Sequence, residues 1–270
     1  MSFGGAGVGA VLSNEASVLN PGSITFYDKS SLYYQSSNTE IDPKDADRTV
    51  TGPPFPSEKK SQALIITDTS NAAKGAFSYQ SQKEFDAQRR RLTFTASGLV
   101  GGNSSLGFLY RYSREKTDMS TALAEKKYHQ LVVGATHILT DSFSLGIIYV
   151  DPFETIPEDT KVILGTQLNV FDMISFLIDV GANPSEELSE TAVYKGALQM
   201  KFFSEVFVRF GTFTDKQLGV KGNGWGVSWS GPKLSLDFAM KSTRPIDNQS
   251  ALLYEEEKIQ ETSFAVNLMF

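Results

Sequence analysis

Apolar residues recur at every second position over segments longer than an ordinary strand needs. The chain closes on Phe264, Val266, Leu268 and Phe270, alternating with Ser263, Ala265, Asn267 and Met269. Upstream the same rhythm runs through Leu106, Phe108, Tyr110 and Tyr112, then Phe143, Leu145, Ile147 and Tyr149, then Ile174, Phe176, Ile178 and Val180. It continues in Ala192 to Met200, in Val206, Val208 and Phe210, and in Leu234, Leu236, Phe238 and Met240. Period two marks a strand with one oily face. Soluble strands run about five or six residues, whereas a tilted strand crossing a bilayer needs about nine to eleven. One face of these segments carries almost no charge, and the other carries charges of both signs in mid-strand. The pattern predicts a wall with lipid outside and water within, so the expected fold class is all-β, a transmembrane antiparallel β-barrel. A soluble β-sandwich alternates in the same way, but it would have to place Phe202 and Phe203, beside a turn, in its core.

Composition narrows the classes further. No apolar run approaches the eighteen or so residues of a membrane-spanning helix, and a mean hydropathy of −0.19 is what inward polar residues leave after cancelling outward apolar ones. With no cysteine there is no disulfide framework and no thiolate chemistry. The net charge of −6 argues against a nucleic-acid surface; Arg89, Arg90 and Arg91 are the one basic run, and a strand mouth accounts for it. The opening Met1-Ser2-Phe3-Gly4-Gly5 lacks a basic n-region and a long apolar h-region, as expected of the mature form of a protein exported to a bacterial (Gram-negative) outer membrane.

Short and long connections alternate. Short ones fall near Gly101 to Ser104, Thr140 to Ser142, Phe171 to Asp172, Phe202 to Ser204 and Ser230 to Pro232; longer ones fall at Glu115 to Lys127, Asp151 to Lys161, Asn183 to Glu190 and Ser242 to Glu255. Outer-membrane barrels carry short turns at one rim and long loops at the other. Counting back from Phe270 gives eleven crossings to the strand Arg89 to Val100, and segments near Lys74 to Gln80, Ser61 to Thr69 and Ser31 to Ser37 bring the total to about fourteen. Twelve is the other even count the pattern allows. Asn38 to Lys60 reads as the first long outer loop. A barrel of this size is wide enough to need a partial filling.

The first thirty or so residues do not alternate. They run through Gly4, Gly5, Gly7 and Gly9, a short apolar piece (Val8, Ala10, Val11, Leu12), and then Asn14-Glu15-Ala16-Ser17-Val18-Leu19-Asn20-Pro21-Gly22-Ser23-Ile24. On these residues, the final strand and the strand count, the chain resembles the fatty-acid transporter (FadL) family and its PorV-like relatives. The resemblance implies an N-terminal plug or hatch, residues 1–28, inside a barrel of residues 29–270, with Asn20, Pro21 and Gly22 as the hatch turn. It implies passive uptake of hydrophobic or amphiphilic small molecules, with no cofactor. The PorV-like side implies a scaffold that partners secretion machinery, and a short-looped barrel can also assemble with copies of itself. The chain is much shorter than typical family transporters, so the long outer loops that build their capture groove are expected to be missing. Gly75-Ala76 is the candidate break for a lateral opening, because glycine interrupts ladders; packing against the plug is the plainer reason for that glycine.

Inward parity collects Arg111, Lys161, Asp179, Lys195, Glu205, Arg209, Lys233, Asp237 and Lys241. Such charges tie a plug to the wall, set ion selectivity, or hold a carboxylate head group through arginine. Arg111 and Arg209, beside inward Leu109, Ile148, Leu177 and Phe207, are the expected cations for an amphiphile. His129 and His137 share one strand face but stand about 26 Å apart at strand rise, too far for one metal. No Gly-x-Ser-x-Gly elbow occurs, and neither an enzyme nor a metal site is expected. Tyr128, Phe143, Phe171, Phe202, Phe203, Trp229 and Tyr254 are placed as interface girdles. Glu154, Glu158 and Asp159, with Glu186, Glu187 and Glu190 and with Glu255, Glu256 and Glu257, read as solvated loops; bridging through divalent cations to lipopolysaccharide phosphates is the other use of such sets. Expected partners are therefore membrane lipids, lipopolysaccharide and a hydrophobic small molecule.

Overall fold

The period-two rhythm resolves into strands that close on themselves. In the computed structural model, which describes residues 5–10, 19–42, 58–84, 87–119, 122–246 and 258–270, there are fourteen strands among the described residues. They are β1 (Ser31–Asp42), β2 (Glu58–Asp68), β3 (Lys74–Glu84), β4 (Ala87–Gly101), β5 (Ser104–Met119), β6 (Ala122–Thr140), β7 (Phe143–Val150), β8 (Lys161–Val170), β9 (Ile174–Ala182), β10 (Val193–Phe202), β11 (Val206–Asp215), β12 (Val220–Ser230), β13 (Leu234–Pro245) and β14 (Lys258–Met269). Each pairs antiparallel with its sequence neighbours, and β1 pairs with β14 from Ser31↔Met269 to Asp42↔Lys258. Closure pairs β1 with β14, so the wall has no edge strand to expose to hydrocarbon. No described helix is long and apolar enough to cross a membrane.

Alternate residues face opposite sides throughout. Leu109 is fully buried, while its neighbours Phe108 and Tyr110 are 49% and 43% exposed. Phe94, Ile147, Phe176, Phe210, Trp225, Phe238 and Phe264 join them on the exterior. So large an apolar exterior is stable only against an apolar solvent.

The short connections fall at one rim, together with both ends of the wall. In the β8–β9 turn Phe171 and Asp172 hold φ of 52° and 54°, and the Met173 amide donates to the Val170 carbonyl. This left-handed pair matches the twist of the flanking strands. At the opposite rim the β7–β8 and β9–β10 connections hold a 3-10 turn (Pro157–Asp159) and a one-turn helix (Leu188–Thr191).

The expected loop from Glu115 to Lys127 is not a loop. β5 and β6 continue through it and leave only residues 120 and 121 between them. Its polar residues still alternate, and opposite charges such as Arg114 and Glu125 pair across the two strands. The outer connection of β1 and β2 is likewise shorter than Asn38 to Lys60, since the strands reach Asp42 and start at Glu58. Leu12 and the stretch from Asn14 to Val18, as well as Tyr254 and Glu255 to Glu257, lie outside the described residues.

Candidate functional site: the barrel interior

Glycine shapes the inner wall. Gly107 of β5 pairs with Gly134 of β6, and Gly146 of β7 pairs with Gly165 of β8. A Cβ on Gly107 would stand 2.4 Å from the Pro21 carbonyl carbon, one on Gly134 2.3 Å from Asn20 Oδ1, one on Gly146 2.1 Å from the Val8 oxygen, and one on Gly165 2.4 Å from Asp179 Oδ1 and 2.6 Å from the Gly9 nitrogen. These four strands thus form a trough in which the main chain of residues 5–10 and 19–26 lies against the wall. Only glycine permits so close a backbone approach.

Polar side chains fix the segment in the trough. Asp179 Oδ2 accepts from the Gly7 and Val8 amides at 2.8 and 3.2 Å. Asn20 Nδ2 donates to the Val8 oxygen at 2.7 Å, to Thr136 Oγ1 at 3.0 Å and to the Ala135 oxygen at 3.2 Å. Its Oδ1 accepts from the Gly22 amide, capping the 3-10 turn Pro21–Phe26. Ser105 and Ser144 donate to the Gly22 and Gly9 carbonyls, each at 2.7 Å. Around these bonds, Val8 packs with Leu109, Val132, Ile148 and Ile163, and Ala6 and Ala10 pack with Leu177 and Tyr27. Asn20, Pro21 and Gly22 are all buried at this contact.

The inward charges are dispersed rather than gathered. Arg209 bonds Asp237 at 2.8 Å and Gln199 at 2.9 Å, and Ser228 also bonds Asp237. Lys161 meets Asp215 at 2.7 Å, both nearly buried. Lys195 Nζ donates to the Gly5 oxygen at 3.3 Å. Lys241 lies over the Phe213 ring, 4.6 Å from its centre. Arg111 stands on another wall, reaching Gln130 at 3.5 Å.

Several expected placements are corrected. Glu205 lies in the β10–β11 turn and accepts from the outward Trp229 indole at 2.9 Å. Lys233 is an exposed residue of the β12–β13 turn. Inward parity does not extend past a strand end, which is why both fell outside the lumen. Gly75 breaks nothing: it pairs with Asp68 and Ala96 in unbroken ladders. Tyr128 faces inward and donates to Glu115 at 2.7 Å instead of joining a girdle.

Two cavities flank the segment. One, about 330 Å³, has Leu19, Tyr33, Ala63 and Ile65 as its apolar side and Gln80, Gln82, Arg89 and Arg91 as its polar side. The other, about 570 Å³, opens at the short-turn rim among Phe26, Tyr27, Tyr33, Phe207, Arg209 and Asp237. Tyr33 lines both. The glycine trough was the part of this interior that sequence reading missed; its signal is an inward-parity glycine in four successive strands.

No protein-family model matches the sequence, and no curated protein matches it. Solved structures do. The fold is similar to that of CymD, a monoaromatic hydrocarbon channel, with a TM-score of 0.74 at 11% identity over 100% of this chain and 96% of that one. It is similar to the Ralstonia pickettii toluene transporter TbuX, with a TM-score of 0.74 at 10% identity over 100% and 97% of the two chains. A Pseudomonas aeruginosa FadL homologue gives 0.64 at 13% identity over 99% and 97%.

Proposed function

We propose that this barrel is an outer-membrane channel through which hydrophobic or amphiphilic small molecules enter by passive diffusion, with residues 1–28 acting as a plug. The observation that carries the reading is the pair of cavities on either side of the N-terminal segment, both lined by Tyr33, in a fold shared with hydrocarbon channels. A molecule with an apolar body is accommodated by Tyr33, Ala63 and Ile65, and the wider cavity beyond opens toward the short-turn rim. Arg111, Lys195, Phe207, Arg209, Asp237 and Lys241 line the lumen in this reading, and several of the charges are held by wall or segment partners. The segment denies water a continuous column while apolar solutes pass beside it.

Proteoliposomes holding the barrel test this with labelled toluene and with a medium-chain alkanoate, alongside planar-bilayer conductance with and without residues 1–28. The reading expects solute entry above that of empty vesicles, low conductance in the full chain and large conductance after the deletion. Entry no faster than in empty vesicles, with no conductance in either form, would favour a scaffold that passes nothing.

A further inference from the structure

The upper exterior of β2 to β6 is ordered in horizontal rows. Register places Leu64, Tyr79, Leu92, Tyr112 and His129 side by side, the last row of the aromatic and apolar band. The next row toward the long-connection rim is Gln62, Ser81, Arg90, Arg114 and Lys127, and the row above that is Lys60, Lys83, Gln88, Lys116 and Glu125. Arg90 is paired directly with Arg114, and Arg114 with Lys127. Like charges directly opposite one another destabilise a sheet. The carboxylate described on these rows, Glu125, is already shared by Arg114 at 2.8 Å, Lys127 at 2.9 Å and Lys116 at 4.0 Å. Lys83, Arg90, Arg114, Lys116 and Lys127 outnumber the one described carboxylate of these rows and make this part of the wall positive, and Lys83, Arg90 and Lys127 are exposed.

We infer that this sector is a binding site for the phosphates of an outer-leaflet lipid, the lipid A portion of lipopolysaccharide. The cations stand two residues, about 7 Å, above the aromatic row, where a phosphorylated head group meets its acyl chains. Arginine pairs bidentately with phosphate oxygens, and a basic surface beside a membrane attracts anionic lipid. Below the cations Phe94 and Tyr110 are 52% and 43% exposed and paired to each other in register, offering a surface for acyl chains. A free phosphate ion would use the cations but not the rows beneath them, so the joined arrangement selects a lipid. β5 and β6, with 16 and 19 residues, exceed the span of a bilayer crossing, which raises these rows above the hydrocarbon.

Native mass spectrometry of the full chain in detergent, titrated with bisphosphorylated lipid A, with the same lipid after dephosphorylation and with inorganic phosphate, tests the site. Retention of the bisphosphorylated lipid should exceed that of the dephosphorylated lipid by about tenfold or more, the scale of several charge contacts, and millimolar inorganic phosphate should not displace it. Arg90→Gln/Arg114→Gln/Lys127→Gln should bring the two lipids close together. Lys221→Gln/Arg244→Gln, a second outward like-charge pair on β12 and β13, should leave the preference intact. Equal retention of both lipids by the unaltered barrel overturns the inference without any variant being needed. So does an unchanged preference in the triple variant, or displacement by inorganic phosphate. Solute entry in the liposome assay is independent of every one of these outcomes.

Discussion

Asp179 is the single side chain on which the seat of the N-terminal segment most depends. Asp179→Ala removes the acceptor of the Gly7 and Val8 amides. Each buried amide left without a partner costs about 1–3 kcal/mol. The wall does not share that cost, because β9 keeps its ladders through Gly165 and Lys195 on either side of position 179. The loss falls on docking of residues 5–10. Taking about 3 kcal/mol for the pair, the undocked fraction rises by about two orders of magnitude, since about 1.4 kcal/mol is a factor of ten. Asp179→Asn keeps a neutral acceptor and should land between the two. The chain has no cysteine, so Ala6→Cys, at a position 1% exposed, reports undocking through its rate of modification by a water-soluble maleimide. The expected result is labelling about a hundredfold faster in the alanine variant, with unchanged heat-modifiable migration of the barrel. Equal labelling rates in the presence and absence of the carboxylate would refute the reasoning.

Gly146→Ala places a methyl 2.1 Å from the Val8 oxygen, so it should displace the segment at a cost of about 1–3 kcal/mol and raise planar-bilayer conductance. Gly98→Ala, with nothing within 4 Å, should change neither conductance nor the temperature at which the barrel loses its folded gel mobility. Lys161→Met strands the Asp215 carboxylate, 10% exposed, and should lower that temperature by an amount reflecting about 3–5 kcal/mol, with Lys161→Met/Asp215→Leu recovering most of the loss. Hydrogen bonds from Arg114 and then Lys127 hold the Glu125 carboxyl down to about 2. A depressed carboxyl stabilises the folded form above the ordinary carboxylate range and loses that contribution as pH falls toward the folded value. An NMR titration should therefore find Glu125 still ionised at pH 3, and Arg114→Gln should move its midpoint upward.

Much of the wall was legible because period two survives any registry. Leu106 to Tyr112 and Phe264 to Phe270 announce an outward face whatever their partners, and turns such as Gly101 to Ser104 punctuate them. What the alternation does not carry is where it stops. Glu205 and Lys233 keep inward parity yet sit in turns, and the charged residues from Glu115 to Lys127 looked like a loop because their polarity was read before their rhythm. The trough was hidden for a different reason. Gly107, Gly134, Gly146 and Gly165 are unremarkable one at a time, and only the pairing of β5 with β6 and β7 with β8 aligns them. Asn20 was placed at its turn from the sequence, but its reach to Val8 and Thr136 depends on contacts 12 and 116 residues away along the chain.

That trough also orders events in time. Residues 5–10 find their seat only on a surface made by β5 to β8, and Asp179 arrives later still on β9. That segment therefore has nowhere to settle until the middle strands have zipped together, and its amides should be the last in the interior to gain protection during refolding into micelles.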